Sequence, residues 1–406
     1  MNKLIFLKDP IFYFALIVAL TFISSYTGGI GYKLYYPMLF IAFFYNNRSY
    51  KKNNLFSVFS LFLLTCLISL LFNHTRILPI FQAPFRLMAF SILIIGFTPL
   101  LSSIKKNIYC YRFIIYSCIL LVFIGFINYY SYKTGAIEVS EGNRVYAGTI
   151  GTNFLGMLCS IGIIYLTSLL MFYNSLNRII LILSIIMILG LLICLLLSSS
   201  RNSIVSVIIS SLFMFYIKFK RNVNKLISMT AVVSIIAIFT FPLWKEYTLG
   251  ISDKQGENYK EFDMKSRESY WEDRYIEFKS SPIIGIGFAN ISNPSEFSKK
   301  TGIIETTTGW GSLFSQLGFI GAFLFLSLTI KNLIFLLKHK KGHYLYCLLI
   351  GLLVFFCINS IGEGYITTVG CQFTIYFWTV QGLIYALRKK YIREDCLNIY
   401  FLKERK

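Results

Sequence analysis

The sequence predicts an all-α, polytopic integral membrane protein, and three observations predict it: an apolar composition, apolar runs of one recurring length, and basic clusters that alternate between those runs. Hydrophobic residues make up 56% of the 406-residue chain and charged residues only 14%, with a mean hydropathy of +0.65. A water-soluble core has no use for that much apolar side chain. A spanning helix needs about 20 mostly apolar residues, and about twelve such runs can be read along the chain. In order they cover residues 10–27, 30–45, 55–72, 83–101, 113–132, 154–173, 179–197, 204–219, 226–243, 310–328, 344–361 and 366–386. Together they make residues 1–406 one transmembrane domain. The first run has a weakly basic flank and no small-residue cleavage pattern, so it is expected to be a retained helix and not a cleaved signal.

The connections fix the expected topology. Lys and Arg in short loops favour the cytoplasmic side. The clusters here are Arg48, Lys51 and Lys52; Lys105, Lys106 and Arg112; Arg178; Lys218, Lys220, Arg221 and Lys225; Lys338, Lys340 and Lys341; and Arg388, Lys389 and Lys390. They fall at every second connection, which puts both termini in the cytoplasm. The net charge of +21 is then explained by topology and anionic lipid headgroups, and no nucleic-acid partner is expected. One long polar segment, 245–308, lies between the ninth and tenth runs on the opposite, external side. Within it "FDMKSRESYWEDRYIEFKSSPIIGIGFANI" has aromatics at helical spacing up to Pro282, which predicts an amphipathic helix over 264–279. A second external loop, 133–151, contains "EGNRVYAGTIGTN".

Several kinds of chemistry find no residues to carry them. The nine cysteines form no CxxC pair, and His74, His339 and His343 are scattered, so neither a zinc site nor a His dyad is indicated. No Asp-x-Asp pair offers a divalent metal site. "GIGFAN" lacks the spacing of a dinucleotide or P-loop fingerprint, and Gly285 and Gly287 are read as a turn that returns the chain to the membrane. What remains is charge at the external membrane edge: Arg76, Arg86, Arg144, Arg201 and Glu363, with Arg267 in the long loop. Each arginine alone could snorkel to headgroups or pair with a nearby carboxylate. As a set they suit phosphate, because the planar fork of guanidinium makes bidentate contacts and stays charged.

Three stretches carry a family resemblance. "NRVYAGTIGTNFLGM", "LLLSSSRNSIVSV" and "SRESYWEDRYIEFKSSPIIGIGFANI", with "SQLGFIGAFLF" as a fourth piece, resemble in order and placement the O-antigen polymerase and O-antigen ligase superfamily. The resemblance implies a GT-C-like, metal-independent membrane glycosyltransferase that needs no cofactor and uses sugar chains on undecaprenyl pyrophosphate as donors. It implies Arg201 and Arg267 as pyrophosphate ligands, with Arg144 as a third. Arg76, Arg86, Arg274, Asn153, Trp271 and Tyr270 are the further substrate-binding candidates. Trp271, Tyr270 and Tyr275 have two uses open to them, stacking on sugar rings or the more ordinary packing of the loop helix onto the membrane domain. Glu305, Glu272, Asp273 and Glu363 are the candidate general bases, with Glu305 first because it directly precedes the tenth helix.

Ligases of the superfamily place a His-Asn pair ahead of the "LGFIG"-like stretch, and this chain has Thr307 and Thr308 there. A polymerase therefore fits better, joining lipid-linked repeat units into O-antigen or capsular polysaccharide at the periplasmic face of the inner membrane. A chain-length-regulating co-polymerase is a partner the resemblance allows. A ligase of the same superfamily is one alternative. A flippase or transporter is another, and it would predict midplane charges and matched broken helices instead of one long external loop.

Overall fold

Polar caps start the helices where the apolar runs begin. The computed structural model describes residues 5–23, 26–48, 57–72, 82–101, 103–134, 152–172, 177–219, 222, 224, 227–228, 265–293, 308–338 and 344–391. Among these residues there are twelve α-helices, one short 3-10 turn and no strand. The helices are α1 (Pro10–Thr21), α2 (Ile30–Asn47), α3 (Val58–Leu71), α4 (Gln82–Phe97), α5 (Ile104–Lys133), α6 (Thr152–Phe172), α7 (Arg178–Leu197), α8 (Arg201–Phe219), α9 (Lys265–Ser280), α10 (Gly309–Lys338), α11 (Tyr344–Asn359) and α12 (Phe373–Arg388). Asp9 caps α1 by accepting from Ile11 N at 3.1 Å, with Pro10 as the first helical residue. Ser57 caps α3, Ser103 caps α5, Asn177 caps α7 and Thr308 caps α10, each satisfying an otherwise orphaned N–H.

Five of these helices, α5, α6, α7, α8 and α10, are long and apolar enough to cross a membrane. Apolar helices of 10–17 residues, among them α1, α3 and α11, pack around them. In lipid the hydrophobic effect does not drive helix against helix, so close packing and hydrogen bonds between helices hold the bundle. α12 lies at its centre, with every residue from Phe373 to Leu387 buried. Trp378 of α12 meets Phe62 of α3 at 5.2 Å, Phe90 of α4 at 5.8 Å and Phe325 of α10 at 6.0 Å between ring centroids. A buried amide pair joins α10 to α12. Asn332 Nδ2 donates to Gln381 Oε1 at 2.8 Å, and Gln381 Nε2 donates to Thr329 Oγ1 at 2.9 Å. By contrast α7 leaves most of its apolar surface outward, from Ile179 to Leu192, the composition of a helix that faces lipid.

The described members of the expected basic clusters collect at one end of the bundle. Arg48 and Arg388 lie over the rings of Tyr45 and Tyr385, at 4.5 and 5.0 Å, and Lys218 donates to Met171 O. One member of the set departs from expectation. α5 begins at Ile104 and not near 113, so Lys105, Lys106 and Arg112 are helical. Lys106 is fully buried, donating to Asn47 Oδ1 at 2.9 Å, Leu101 O at 2.8 Å and Ile95 O. It ties the ends of α2 and α4 to the start of α5, where unpaired carbonyls welcome a cation, and does not face lipid headgroups.

The last expected helix is also corrected. It was expected over 366–386, but α12 starts at Phe373, and residues 360–372 form a largely buried loop. Its backbone is satisfied by the helices around it: Trp378 Nε1 donates to Ile366 O at 2.9 Å, Thr374 Oγ1 to Tyr365 O at 2.7 Å, and Tyr35 OH to Val369 O at 3.4 Å. The helix expected over 264–279 is α9, Lys265–Ser280. The ninth expected span, 226–243, lies outside the described residues apart from Ile227 and Ser228, and the loop 133–151 lies outside them apart from Lys133 and Thr134.

Candidate active site

At the end of the bundle opposite the basic cluster, the N-termini of α6, α8 and α10 meet the C-terminus of α11. The "SSSRNS" stretch makes the α7–α8 corner. Ser198, Ser199 and Ser200 are buried, and Ser199 takes a positive φ of 53° that turns the chain before Arg201 opens α8. Short side chains are needed there because α6 passes close by: a Cβ added to Gly156 would lie 2.6 Å from Ser200 Cβ. Asn202 Nδ2 then donates to Asn359 O at 2.6 Å, and Asn359 Nδ2 to Ser203 Oγ at 3.3 Å, tying α8 to the end of α11. Gly309 N donates to Ser360 O at 2.8 Å, and Trp310 Nε1 to Cys357 O at 2.8 Å, tying the start of α10 to the same place. Asn153, in the first turn of α6, donates from Nδ2 to Glu363 Oε1 at 2.8 Å.

α9 is laid along α10 by contacts in matching order. A Cβ on Gly311 would touch Arg274 Cγ at 3.0 Å, Phe278 meets Phe314 at 5.8 Å, and Phe319 N donates to Pro282 O at 2.7 Å. The two helices therefore run side by side in the same direction. Arg267 precedes Arg274 by seven residues, which is two turns and about 10 Å along the axis. Its position on α9 therefore lies beyond the start of α10 along the shared axis. Tyr270, one turn before Arg274, is 37% exposed.

The arginines of this end do different jobs. Arg201 is half-buried at the first position of α8. Arg86, on α4, is half-buried beside Tyr36, whose hydroxyl lies 3.7 Å from where a Cβ of Gly370 would be, so it borders the 360–372 loop. Arg274 is buried, with Nη1 2.8 Å from Glu277 Oε2. Burial pulls its guanidinium down from its ordinary value, opposed by Glu277 and Asp273. Glu277 in turn accepts from Ser292 N and Oγ at 2.6 and 2.7 Å, so this pair locks α9 to the chain that follows it. Trp271 and Tyr275 are exposed, and Tyr275 carries Lys279 at 4.4 Å from its ring. The aromatic that packs α9 down is Phe278. Arg76, Arg144 and Glu305 lie outside the described residues, as does the side chain of Arg267.

Residues 185–326, from α7 through α8 and α9 into α10, match the family model described as O-antigen ligase. Over that segment the chain is similar to the O-antigen polymerase and ligase superfamily. That segment holds Arg201, Arg267, Glu305 and the glycines at 285, 287 and 318, whereas Asn153, Glu363 and Arg86 lie outside it. None of the curated proteins compared matches the chain. Two features of the superfamily site here escaped sequence reasoning, the buried 360–372 loop and the anchoring role of Gln316. Gln316 accepts at its carbonyl from Ser69 Oγ at 2.5 Å and Gly287 N at 3.2 Å. Its side chain donates to Asn290 O at 3.3 Å and accepts from Thr367 Oγ1 at 3.1 Å. The "SQLGFIG" motif was the available signal, but its partners are far away in sequence.

Proposed function

We propose that the chain is a polysaccharide polymerase of the GT-C kind, joining undecaprenyl-pyrophosphate-linked oligosaccharide repeat units on the periplasmic side of the inner membrane. In this reading it spans the membrane twelve times, with both termini and the basic end in the cytoplasm. The reading is supported by the meeting of the N-termini of α6, α8 and α10 at the end of α11, with Arg201 as the first residue of α8. The transferred sugar leaves pyrophosphate behind, and the charge that grows in the transition state lies on that leaving group. Helix N-termini contribute about 0.3–1 kcal/mol each to a nearby anion, whereas a fixed donor aimed at developing charge contributes about 3–4 kcal/mol. Arg201 and Arg267 therefore do most of the work, and the helix ends orient it. Arg76, Arg86 and Arg144 extend the cationic rim for the rest of the lipid-linked donor, and Tyr270 and Trp271 offer flat faces to its sugars. Arg274, expected from sequence to bind substrate, holds α9 in place through Glu277.

The superfamily includes ligases, and Thr308 favours polymerisation over ligation. It stands where ligases have one of a His-Asn pair, and here its hydroxyl accepts from Gly311 N at 3.2 Å as the cap of α10. A threonine hydroxyl used as a cap offers no base for a ligase reaction. The reading is tested by supplying purified protein in lipid with one lipid-linked repeat unit: a ladder of lengthening products supports polymerisation, transfer to lipid A core alone points to ligation, and movement between leaflets without lengthening points to transport. A co-polymerase would change the length distribution of that ladder without being needed for it.

A further inference from the structure

The attacking hydroxyl must lose its proton as the new glycosidic bond forms, and a side chain within hydrogen-bond reach of it contributes about 10²- to 10⁴-fold. Five carboxylates have described side chains, and four of them lie away from the junction of helix ends. Asp9 is at the basic end, capping α1 and pairing with Arg112 at 3.2 Å. Glu277 is buried against Arg274 and Ser292. Glu272 is exposed two residues from Arg274, on the side of α9 turned away from α10, and Asp273 lies beside Arg274. Glu363 alone of the five is set among the helix ends. It is half-buried in the 360–372 loop, its main-chain carbonyl is 3.0 Å from where a Cβ of Gly309 would be, and its Oε1 accepts from Asn153 Nδ2 at 2.8 Å.

We infer that Glu363 is the general base for the acceptor hydroxyl, with Asn153 as its positioning residue. The inference rests on the glycosyl-transfer reading above. As the acceptor oxygen bonds to the anomeric carbon, the bond from that carbon to pyrophosphate breaks and the phosphate keeps the electron pair. The hydroxyl proton passes to the Glu363 carboxylate and then to solvent. The titratable groups that sense Glu363 are Tyr365 and Cys371 from its own loop, and Asn153 of α6 is its neutral polar neighbour. The hydrogen bond from Asn153 fixes the orientation of the carboxylate. Because Glu363 lies outside the segment shared with the family, the donor site and the acceptor base come from different parts of the chain.

The test compares pH profiles of elongation in the wild type and in Glu363→Gln, Glu305→Gln, Glu363→Asp and Asn153→Ala. Wild type should lose rate as Glu363 becomes protonated on the acid side. Glu363→Gln should run about 100-fold slower, with donor KM within twofold of wild type and the acid limb gone. Glu363→Asp should recover about tenfold and regain the limb. Asn153→Ala should move the limb to higher pH, since the carboxylate loses a donor. If Glu363→Gln elongates at the wild-type rate, keeps the acid limb, or passes that behaviour to Glu305→Gln, Glu363 is not the base. Should Glu363→Gln fail to accumulate in the membrane, the Asp and Asn153→Ala profiles decide the matter by the same criteria. A wild type that forms no longer products overturns the glycosyl-transfer reading itself, an outcome separable from retained elongation in Glu363→Gln.

Discussion

Arg201 and Arg274 put the same side chain into two environments, and their substitutions should fail differently. Arg201 opens α8 at a junction of helix ends, so Arg201→Ala should lower turnover by about two orders of magnitude while the protein still reaches the membrane in normal amount. Arg201→Lys should recover only part of that, because an ammonium cannot make the bidentate contact. Chain-length ladders from a polymerisation assay measure both. Arg274 is buried against Glu277, and removing one partner of a buried pair costs about 3–5 kcal/mol. Arg274→Ala should thus lower the thermal midpoint in detergent, and Glu277→Gln should do the same, since it also weakens the acceptor for Ser292. Replacing both with methionine should restore much of the loss, an outcome that a substrate-binding role for Arg274 would not produce.

α10 is broken where the returning loop crosses it. Gly318 has φ 61° and ψ −164° inside the helix, which frees the N–H groups of Phe319 and Ile320 and the carbonyls of Ser315 and Gln316. The loop takes up all four: Phe319 N and Ile320 N donate to Pro282 O and Ile283 O, while Ile286 N and Gly287 N donate to Ser315 O and Gln316 O. Irregular backbone at membrane depth is tolerated when it is satisfied in this way. The crossing needs two glycines facing each other. A Cβ on Gly285 would lie 2.3 Å from Gln316 C, and one on Gly318 would lie 2.4 Å from Ile283 C. Both residues also have positive φ, which costs a side chain about 1–2 kcal/mol before any clash. Gly285→Ala and Gly318→Ala should sharply reduce the yield of folded protein and lower its melting temperature, whereas Gly370→Ala, whose added Cβ would meet only Tyr36 OH at 3.7 Å, should be tolerated. Because α9 precedes this crossing and packs on α10, loosening it should also misplace the face that carries Arg267.

Across the described bundle, the loop-flanking basic clusters gather at one end, and the junction of helix ends, with Arg86, Arg201 and Arg274, lies at the other. The proposed orientation has a direct check. Six of the described cysteines, Cys66, Cys110, Cys118, Cys159, Cys194 and Cys347, are buried, and Cys357 and Cys371 are half-buried, so the background for thiol labelling is low once Cys396 is replaced. A cysteine at Ile361, on the junction end, should react with an impermeant reagent added outside an intact inner membrane, and one at Lys389 should react only after the membrane is opened. The reverse pattern would put the junction in the cytoplasm, away from the lipid-linked units proposed as substrate. In the proposed reading arginines and helix ends supply the charge that a metal would otherwise bring, so chelators should leave elongation unchanged in the same preparations.

Local regularities made the helical class, most helix positions and the segregation of charge readable in advance. An apolar run of spanning length has few alternatives to a helix in lipid, because its backbone must satisfy itself. α9 could be found because aromatic spacing and Pro282 are features of neighbouring residues. Folding in three dimensions decided what depends on partners distant along the chain. Lys106 reads as one more loop cation until Asn47 and the end of α4 surround it. Residues 366–372 read as the start of the last helix, yet the 360–372 loop stays irregular since Tyr35, Thr374 and Trp378 satisfy its carbonyls. Arg274 looks like Arg267 in sequence, and burial beside Glu277 separates them. Glu363 is one of four candidate bases in the sequence until Asn153, 210 residues away, donates to it. Periodicity reports what a residue does for its own helix, and a site is made by the ends of several.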